Sequence, residues 1–198
     1  MQDRETDTYW SIMTGEAIAG EMAGTPLKEL PVGEKIQWKD WVRKHPDTVV
    51  LSVGGKEDTG NVYADYFRSD RGFRGIRAKD RRLNDKQPVY AFRLGSKEYA
   101  VRSETIEGGK AMAINGSTLF FYRPRNAHLF ASTVAYQAHS GTFEKTEEGW
   151  IHHPSGAVFN PETGRFEREV PGNLTRLTGL DTYWFSWSLS NPETELIR

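Results

Sequence analysis

Two stretches of this chain follow one sequence template, and this repetition constrains the fold more than any other feature. The template is W-x-x-W, four further residues and P-[DE]-T, and it covers residues 38–48 and 184–194. An aliphatic residue follows three positions later in each copy, Leu51 in the first and Ile197 in the second. Internal repetition indicates an architecture built from related units. Residues that recur in both copies are better explained by a shared scaffold role than by catalysis.

The correspondence extends upstream of the two templates. Trp10 leads to Gly15, and Trp150 leads to Gly156. The spacing from Gly24 to Pro31 and from Gly164 to Pro171 is the same, and all six tryptophans lie within the two copies. We therefore expect residues 8–51 and 148–198 to superpose as strand–turn–strand–helix–strand units.

Composition excludes several classes of protein. The 26 basic and 27 acidic residues nearly cancel, so no global field favours nucleic acid or an anionic membrane. There is no apolar run of about 20 residues that could form a membrane-spanning helix. With no cysteine, disulfides, thiolate metal sites and thiol nucleophiles are excluded. The first residues lack the apolar core of a signal peptide. This leaves the compartment open: cytoplasmic by default, extracytoplasmic if the sequence is a fragment.

The fold class predicted from residue patterns is mainly β with a few short helices, built as two degenerate repeat halves around a central block of β-hairpins. We expect one compact domain that comprises a first copy (1–52), a linking loop (53–87), the central block (88–140) and a second copy (141–198). The strongest signals are two hairpins, with turns at Gly95-Ser96 and Asn115-Gly116. A further strand is expected at 128–136.

Each template copy predicts a short helix followed by a strand. Trp38, Trp41 and Val42 are spaced to share one helix face, and the helix should end before Pro46. The β-branched residues at 48–51 predict a buried strand. In the second copy a helix is expected at 182–189 and a closing strand at 195–197. We expect Trp41 and Trp187 to be mostly buried, each anchoring its helix.

Several motifs, taken in order, resemble the domain of unknown function family 3179. They are the N-terminal segment 1–20, the first template, D-x-R-L-x-D-K at 80–86, Y-A-V at 99–101 and Y-W-F-S-W at 183–187. The resemblance covers nearly the whole chain and implies a prokaryotic protein, but it implies no activity. Longer relatives carry an upstream Cys-Pro-x-Cys element that this sequence lacks, so a metal or redox role resting on those cysteines is not expected here.

The candidate ligand-binding residues are Trp38, Trp41, Trp184 and Trp187, whose rings could stack on a flat ligand or a sugar, and Arg93 in the central block. The alternative is that the four tryptophans pack each helix on its sheet, and this alternative is favoured. His152 and His153 are adjacent on a predicted strand, so they should face opposite ways and not share an ion. We expect no metal and no cofactor, and the sequence identifies no catalytic residues. His45 with Asp47 and the basic stretch 68–82 are better explained as a helix stop and a solvated loop.

The function expected from these patterns is binding of an unknown small ligand or protein partner, or a structural role. The alternative is a hydrolase-like enzyme with a site in the cleft between the halves. A β block precedes the repeated unit at 148–198, whereas only seven residues precede the one at 8–51. We therefore expect an unpaired strand edge in the first copy. A homodimer, a strand borrowed from a partner or a missing upstream segment would cover that edge.

Overall fold

The computed structural model of the chain describes residues 1–28, 33, 35–52, 54–55, 60, 62–129, 131–168 and 172–198. Within them the fold is mainly β, as predicted. The elements, in chain order, are β1 (Tyr9–Ser11), β2 (Glu16–Ala19), α1 (Trp38–Lys44), α2 (Ala64–Arg68), β3 (Pro88–Leu94), β4 (Lys97–Arg102), β5 (Lys110–Ile114), β6 (Ser117–Tyr122), β7 (Val134–Ala138), β8 (Thr142–Thr146), β9 (Gly149–His153), β10 (Ala157–Asn160), β11 (Arg165–Glu167), β12 (Leu174–Arg176), β13 (Gly179–Tyr183), α3 (Trp184–Ser190) and β14 (Glu195–Ile197).

The described strands form one small hairpin sheet and three four-stranded sheets. The strand orders are β1-β2, β13-β3-β4-β14, β12-β7-β6-β5 and β11-β10-β9-β8. All of these pairings are antiparallel except that of β14 with β4. The parallel pair is the point at which the second template copy joins the sheet.

Side-chain alternation along the strands stacks these sheets in layers. Tyr90 and Phe92 of β3 face a core shared with β5 and β6, whereas Val89 and Ala91 face α3. Phe120 of β6 points the other way from its neighbours, into a core shared with β8 and β10. The order of layers is therefore α3, the β3–β4 sheet, the β6–β7 sheet and the β8–β11 sheet.

Both predicted hairpins of the central block are confirmed. β3 pairs with β4 across Gly95-Ser96, and β5 pairs with β6 across Asn115-Gly116. Asn115 and Gly116 both adopt positive φ, which is the conformation that a two-residue hairpin turn requires. The closing strand at 195–197 is also confirmed. The helix expected at 182–189 runs from Trp184 to Ser190, because 182 and 183 extend β13.

Three local predictions are corrected. Residues 48–51 form no strand and are exposed, because no neighbouring strand pairs with them in the described chain. The strand expected at 128–136 begins only at Val134, and Phe130 lies outside the described residues. The linking stretch 53–87 contains α2 and a 3-10 turn at Phe73–Gly75. The division into four segments and the superposition of whole halves stay predictions; Pro31 and Pro171 fall outside the described residues.

Candidate functional site

The second template copy folds into a compact unit, residues 184–197, called here the second tryptophan unit. After α3 the backbone N–H of Asn191 donates to the Trp187 carbonyl over 3.0 Å. The Trp187 indole N–H donates to the Thr194 hydroxyl over 2.8 Å, and that hydroxyl donates to the Asn191 carbonyl over 2.7 Å. Together these bonds turn the chain from the helix into β14.

The first copy, residues 38–51, shares the helix, the cap and the tryptophan–threonine hydrogen bond of the second unit and is called the first tryptophan unit. The cap residue His45 has φ −134° and ψ 72°, against −132° and 71° at the second cap. Its backbone N–H donates to the Trp41 carbonyl over 2.8 Å. The Trp41 indole N–H donates to the Thr48 hydroxyl over 2.9 Å. The helix, cap and hydrogen bond of residues 38–48 therefore match those of residues 184–194.

The surroundings of the second unit bury both of its tryptophans. Trp184 is 0% exposed, and its indole N–H donates to the Asp80 carbonyl over 3.0 Å. The Arg82 guanidinium lies 5.4 Å from the Trp184 ring and donates to the Thr194 carbonyl over 2.7 Å. β14 then pairs in parallel with β4. The second unit is thus held by Arg82, by pairing with the edge of β4 and by the Asp80 carbonyl.

Asp80 holds Arg82 in position for this contact. Its carboxylate accepts the Arg82 backbone N–H and the Arg82 Nε–H, both over 2.8 Å. The Arg82 side-chain hydrogen bond is the main cause that lowers the pKa of Asp80, and partial burial opposes it. The D-x-R part of the motif at 80–86 is therefore a clamp on the second unit, rather than a piece of solvated basic loop.

The lysine of the same motif, Lys86, packs against a separate cluster of aromatic rings. Lys86 Nζ lies 4.3 Å from the Tyr66 ring and 5.5 Å from the Tyr183 ring. It donates to the carbonyls of Tyr66 and Ser69 at the end of α2. Burial raises the pKa of both Tyr66 and Tyr183. Lys86 therefore anchors α2 beside the start of α3.

Arg93, a candidate binding residue, joins the N-terminal segment to the second unit. Its guanidinium lies 5.3 Å from the Trp187 ring and donates to Asn191 Oδ1 over 2.9 Å. It also donates to the Met13 carbonyl. These contacts hold Arg93 against the second unit, and Trp184 and Trp187 are buried. The assignment of these three residues as ligand-binding stays a prediction.

The first unit differs from the second in burial and in its last residues, since 49–51 form no strand whereas 195–197 form β14. Trp38 is 53% exposed, whereas Trp41 is partly buried with most of its surface covered, as predicted. Trp187, at 2% exposed, confirms the matching prediction. Val49 and Leu51, the counterparts of Glu195 and Ile197, are more than nine-tenths exposed. Among the described residues, no strand pairs with 49–51 as β4 pairs with β14.

A groove of about 1800 Å³ runs between α1 and the far ends of β6, β7 and β12. Four aromatic side chains and an excess of basic groups line it. The aromatic residues are Trp38, Trp41, Tyr122 and Tyr136; the charged residues are Lys35, Lys39, Arg43, Lys44, Arg165, Arg176, Asp40 and Glu162. Trp38 and Trp41 are thus brought together in one groove, whereas Trp184, Trp187 and Arg93 do not line it.

A buried ion pair holds the loop that forms one wall of this groove. Arg123 Nη1 lies 3.4 Å from Asp181 Oδ1, and both side chains are buried. Arg123 also donates to the carbonyls of His128 and Leu129, while Asp181 accepts the backbone N–H and hydroxyl of Thr133. Nothing in the sequence marked these residues in advance, because their partners come from different strands.

The segment before α1 is tied to the same wall. The Lys35 backbone N–H donates to Ser132 Oγ over 2.6 Å, and Lys35 Nζ donates to the Asp181 carbonyl over 3.2 Å. These two contacts place α1 opposite the sheet ends and leave the groove open between them.

The adjacent histidines face opposite ways, as predicted. His152 is buried, and its two ring nitrogens are occupied by the Ser155 hydroxyl and the Ser140 carbonyl at 2.8 Å. His153 is exposed and lies 3.3 Å from Glu144. His152 is a satisfied core residue. No group of three metal-ligating side chains occurs in the described ranges.

The chain was compared with curated proteins, with solved structures and with protein families. Searches of curated proteins and of solved structures each found no match. In the part of the chain that the structure describes, no helix is long and apolar enough to cross a membrane. A scan of protein families matches residues 1–194, nearly the whole chain. The chain therefore belongs to the family described as Protein of unknown function (DUF3179).

Proposed function

We propose that this protein is an interaction module, and that its first tryptophan unit is a docking surface for another polypeptide. One observation carries the proposal. The two units share their cap angles and their Trp–Thr hydrogen bond, yet one is buried and the other is open. A unit that is shaped for burial but left exposed is a surface that a partner can cover.

The exposed apolar residues of this unit support the proposal. Trp38, Val49, Val50 and Leu51 are all exposed within fourteen residues of chain. Monomeric proteins rarely keep contiguous apolar surface in water unless it serves an interaction. Scattered surface hydrophobes need no explanation, but here Trp38 and Leu51 occupy positions that recur in the second copy.

The size of the groove favours a polypeptide over a small ligand. Pockets for small molecules usually enclose about 300–1,000 Å³. This groove has about 1800 Å³ and opens along the whole length of α1. A ligand of small-molecule size would leave much of the aromatic surface in contact with water.

A second candidate function is supported by the charge of the groove. Its six basic side chains outnumber its two acidic ones, Asp40 and Glu162, and Asp40 is paired with Arg43 over 2.9 Å. Lysine and arginine beside aromatic rings suit an anionic ligand that stacks. The hydrolase-like alternative has less support, since the structure offers no convergent histidine and carboxylate set in the described lining.

Photo-crosslinking from the docking surface tests the proposed function. We would place p-benzoylphenylalanine at Leu51 in one variant and at Val62 in another, because Val62 is exposed but lies outside the unit. We expect the Leu51 variant, expressed in the source cell, to crosslink to one polypeptide that the Val62 variant does not capture. Trp38→Ala should weaken that crosslink. Equal crosslinking from both positions would contradict the proposal.

A further inference from the structure

We infer that the partner of the first tryptophan unit presents a β-hairpin with a free edge strand, which pairs in parallel with residues 49–51 while an arginine covers Trp38. This inference rests on the proposed function and specifies the chemistry of its partner. The template for it is the way in which this chain seats its own second unit on the β3–β4 hairpin.

The edge strand follows from the register of the second unit. Glu195, Leu196 and Ile197 lie opposite Tyr99, Ala100 and Val101 of β4. The same offset of positions that relates Trp38 to Trp184 relates Val50 to Leu196 and Leu51 to Ile197. Strand addition to a free edge supplies main-chain hydrogen bonds, and alternate side chains supply specificity.

The partner strand must carry small residues beneath the indoles. In the second unit Trp184 and Trp187 lie against Ala91 and Ala100, both fully buried. An alanine leaves room for an indole ring to lie flat on the sheet, whereas a larger side chain would lift the helix away. The partner hairpin should therefore have alanine or glycine opposite Val50 and at the neighbouring position of its other strand.

The partner's arginine is inferred from two polar groups of the first unit. Among the described residues no acceptor is within hydrogen-bonding distance of the Trp38 indole N–H, and no side chain donates to the Thr48 carbonyl. Their counterparts in the second unit are served by the Asp80 carbonyl and by Arg82. A guanidinium over Trp38 would stack on the ring and donate to the Thr48 carbonyl at once.

The probe for this inference is the chain's own hairpin with its arginine lead-in, a synthetic peptide of residues 78–103. Isolated hairpins are only marginally stable, so the same segment is also tethered ahead of Met1 by a flexible linker, which raises its effective concentration to the millimolar range. The readout is amide hydrogen exchange of Val50 and Leu51 in the full chain. Light scattering measures the mass of the chain without the probe.

We expect a monomeric chain in which the tethered hairpin slows exchange at Val50 and Leu51 by about tenfold or more. The R82A hairpin should protect those amides less, and the A100L hairpin should not protect them at all. A chain with V50P, which lacks the backbone N–H in the new ladder, should bind weakly. A V62D chain is the control and should bind as the unchanged chain does.

The outcomes separate the two proposals. Unchanged exchange at Val50 and Leu51 in the tethered chain overturns this inference, as does equal protection by the R82A hairpin. If the Leu51 crosslink still forms in the cell, the docking function stands with a partner of other chemistry. A stable dimer of the chain alone, with Val50 and Leu51 already protected, would show that a second copy is the occupant and would also overturn the inference.

Discussion

The indole nitrogen of Trp41 donates to the hydroxyl of Thr48 over 2.9 Å, seven residues further along the chain. The same bond joins Trp187 to Thr194 over 2.8 Å, but there both partners are buried. The tryptophan–threonine bond thus forms in both units, although only the second pair is buried. The buried second unit has three further contacts: β14 pairs with β4, Arg82 lies over the Trp184 ring, and the Asp80 carbonyl accepts the Trp184 indole N–H. Because of these contacts we expect the second unit to contribute more to stability than the first.

The first prediction compares the leading tryptophan of each unit. Trp184→Ala should lower the free energy of unfolding by about 3–5 kcal/mol, the usual cost of truncating a buried aromatic side chain. Trp38→Ala should lower it by less than about 1 kcal/mol, because the side chain is more than half exposed. Urea denaturation of the two variants measures the difference. Equal costs would mean that the first unit is docked in solution.

The second prediction concerns the threonine that ends the template. Thr194→Val leaves the buried Trp187 N–H without an acceptor and should cost about 1–3 kcal/mol. Thr48→Val removes the same bond at an exposed site, where water replaces the hydroxyl. That change should cost less than about 0.5 kcal/mol. Thermal and urea unfolding of both variants provide the check, and a larger loss at Thr48 than at Thr194 would refute the burial argument.

The third prediction concerns the groove wall. Asp181→Ala leaves the buried Arg123 guanidinium without its carboxylate and should cost about 3–5 kcal/mol. Asp40→Ala breaks the exposed pair with Arg43 and should cost at most about 1 kcal/mol. Chemical denaturation measures both. An Asp181→Ala variant with unchanged stability would show that the ion pair does not hold the wall.

The fourth prediction is a dependence on acid. The folded protein holds the pKa of Asp80 below its ordinary value of 3.8, chiefly through the Arg82 hydrogen bond. A lowered pKa means that the carboxylate stabilises the fold above the unfolded value, and that this stability is lost as the pH falls through the folded value. Asp80→Asn should therefore reduce the loss of stability below about pH 4. An Asp80→Asn variant that loses stability in acid as steeply as the unchanged protein would contradict this prediction.

The β-hairpins of the central block could be predicted because their signals are local. Asn115-Gly116 supplies the two positive φ angles that a tight hairpin turn needs, and strong β-formers flank it. The helix and cap of each tryptophan unit were equally readable, since the template residues contact one another within fourteen positions. Contacts between residues that are close in sequence can be recognised from the spacing of those residues.

The burial of the two units could not be predicted, because it depends on residues far away in sequence. Trp184 meets Asp80 and Arg82, about a hundred positions away, whereas Trp38 meets no such partners in the described chain. Residues 48–51 are β-branched and apolar, yet among the described residues no strand lies beside them. For the same reason the ion pair of Arg123 with Asp181 could not be predicted, since it joins separate sheets.

Amide hydrogen exchange of the two matched segments, Val49–Leu51 and Glu195–Ile197, tests the central claim most directly. In the chain alone Leu196 and Ile197 should exchange slowly, because β14 is paired with β4. Val50 and Leu51 should exchange at rates close to those of an unstructured peptide. Slow exchange at Val50 and Leu51 in a monomeric chain would contradict the claim that the first tryptophan unit is an open copy of the second.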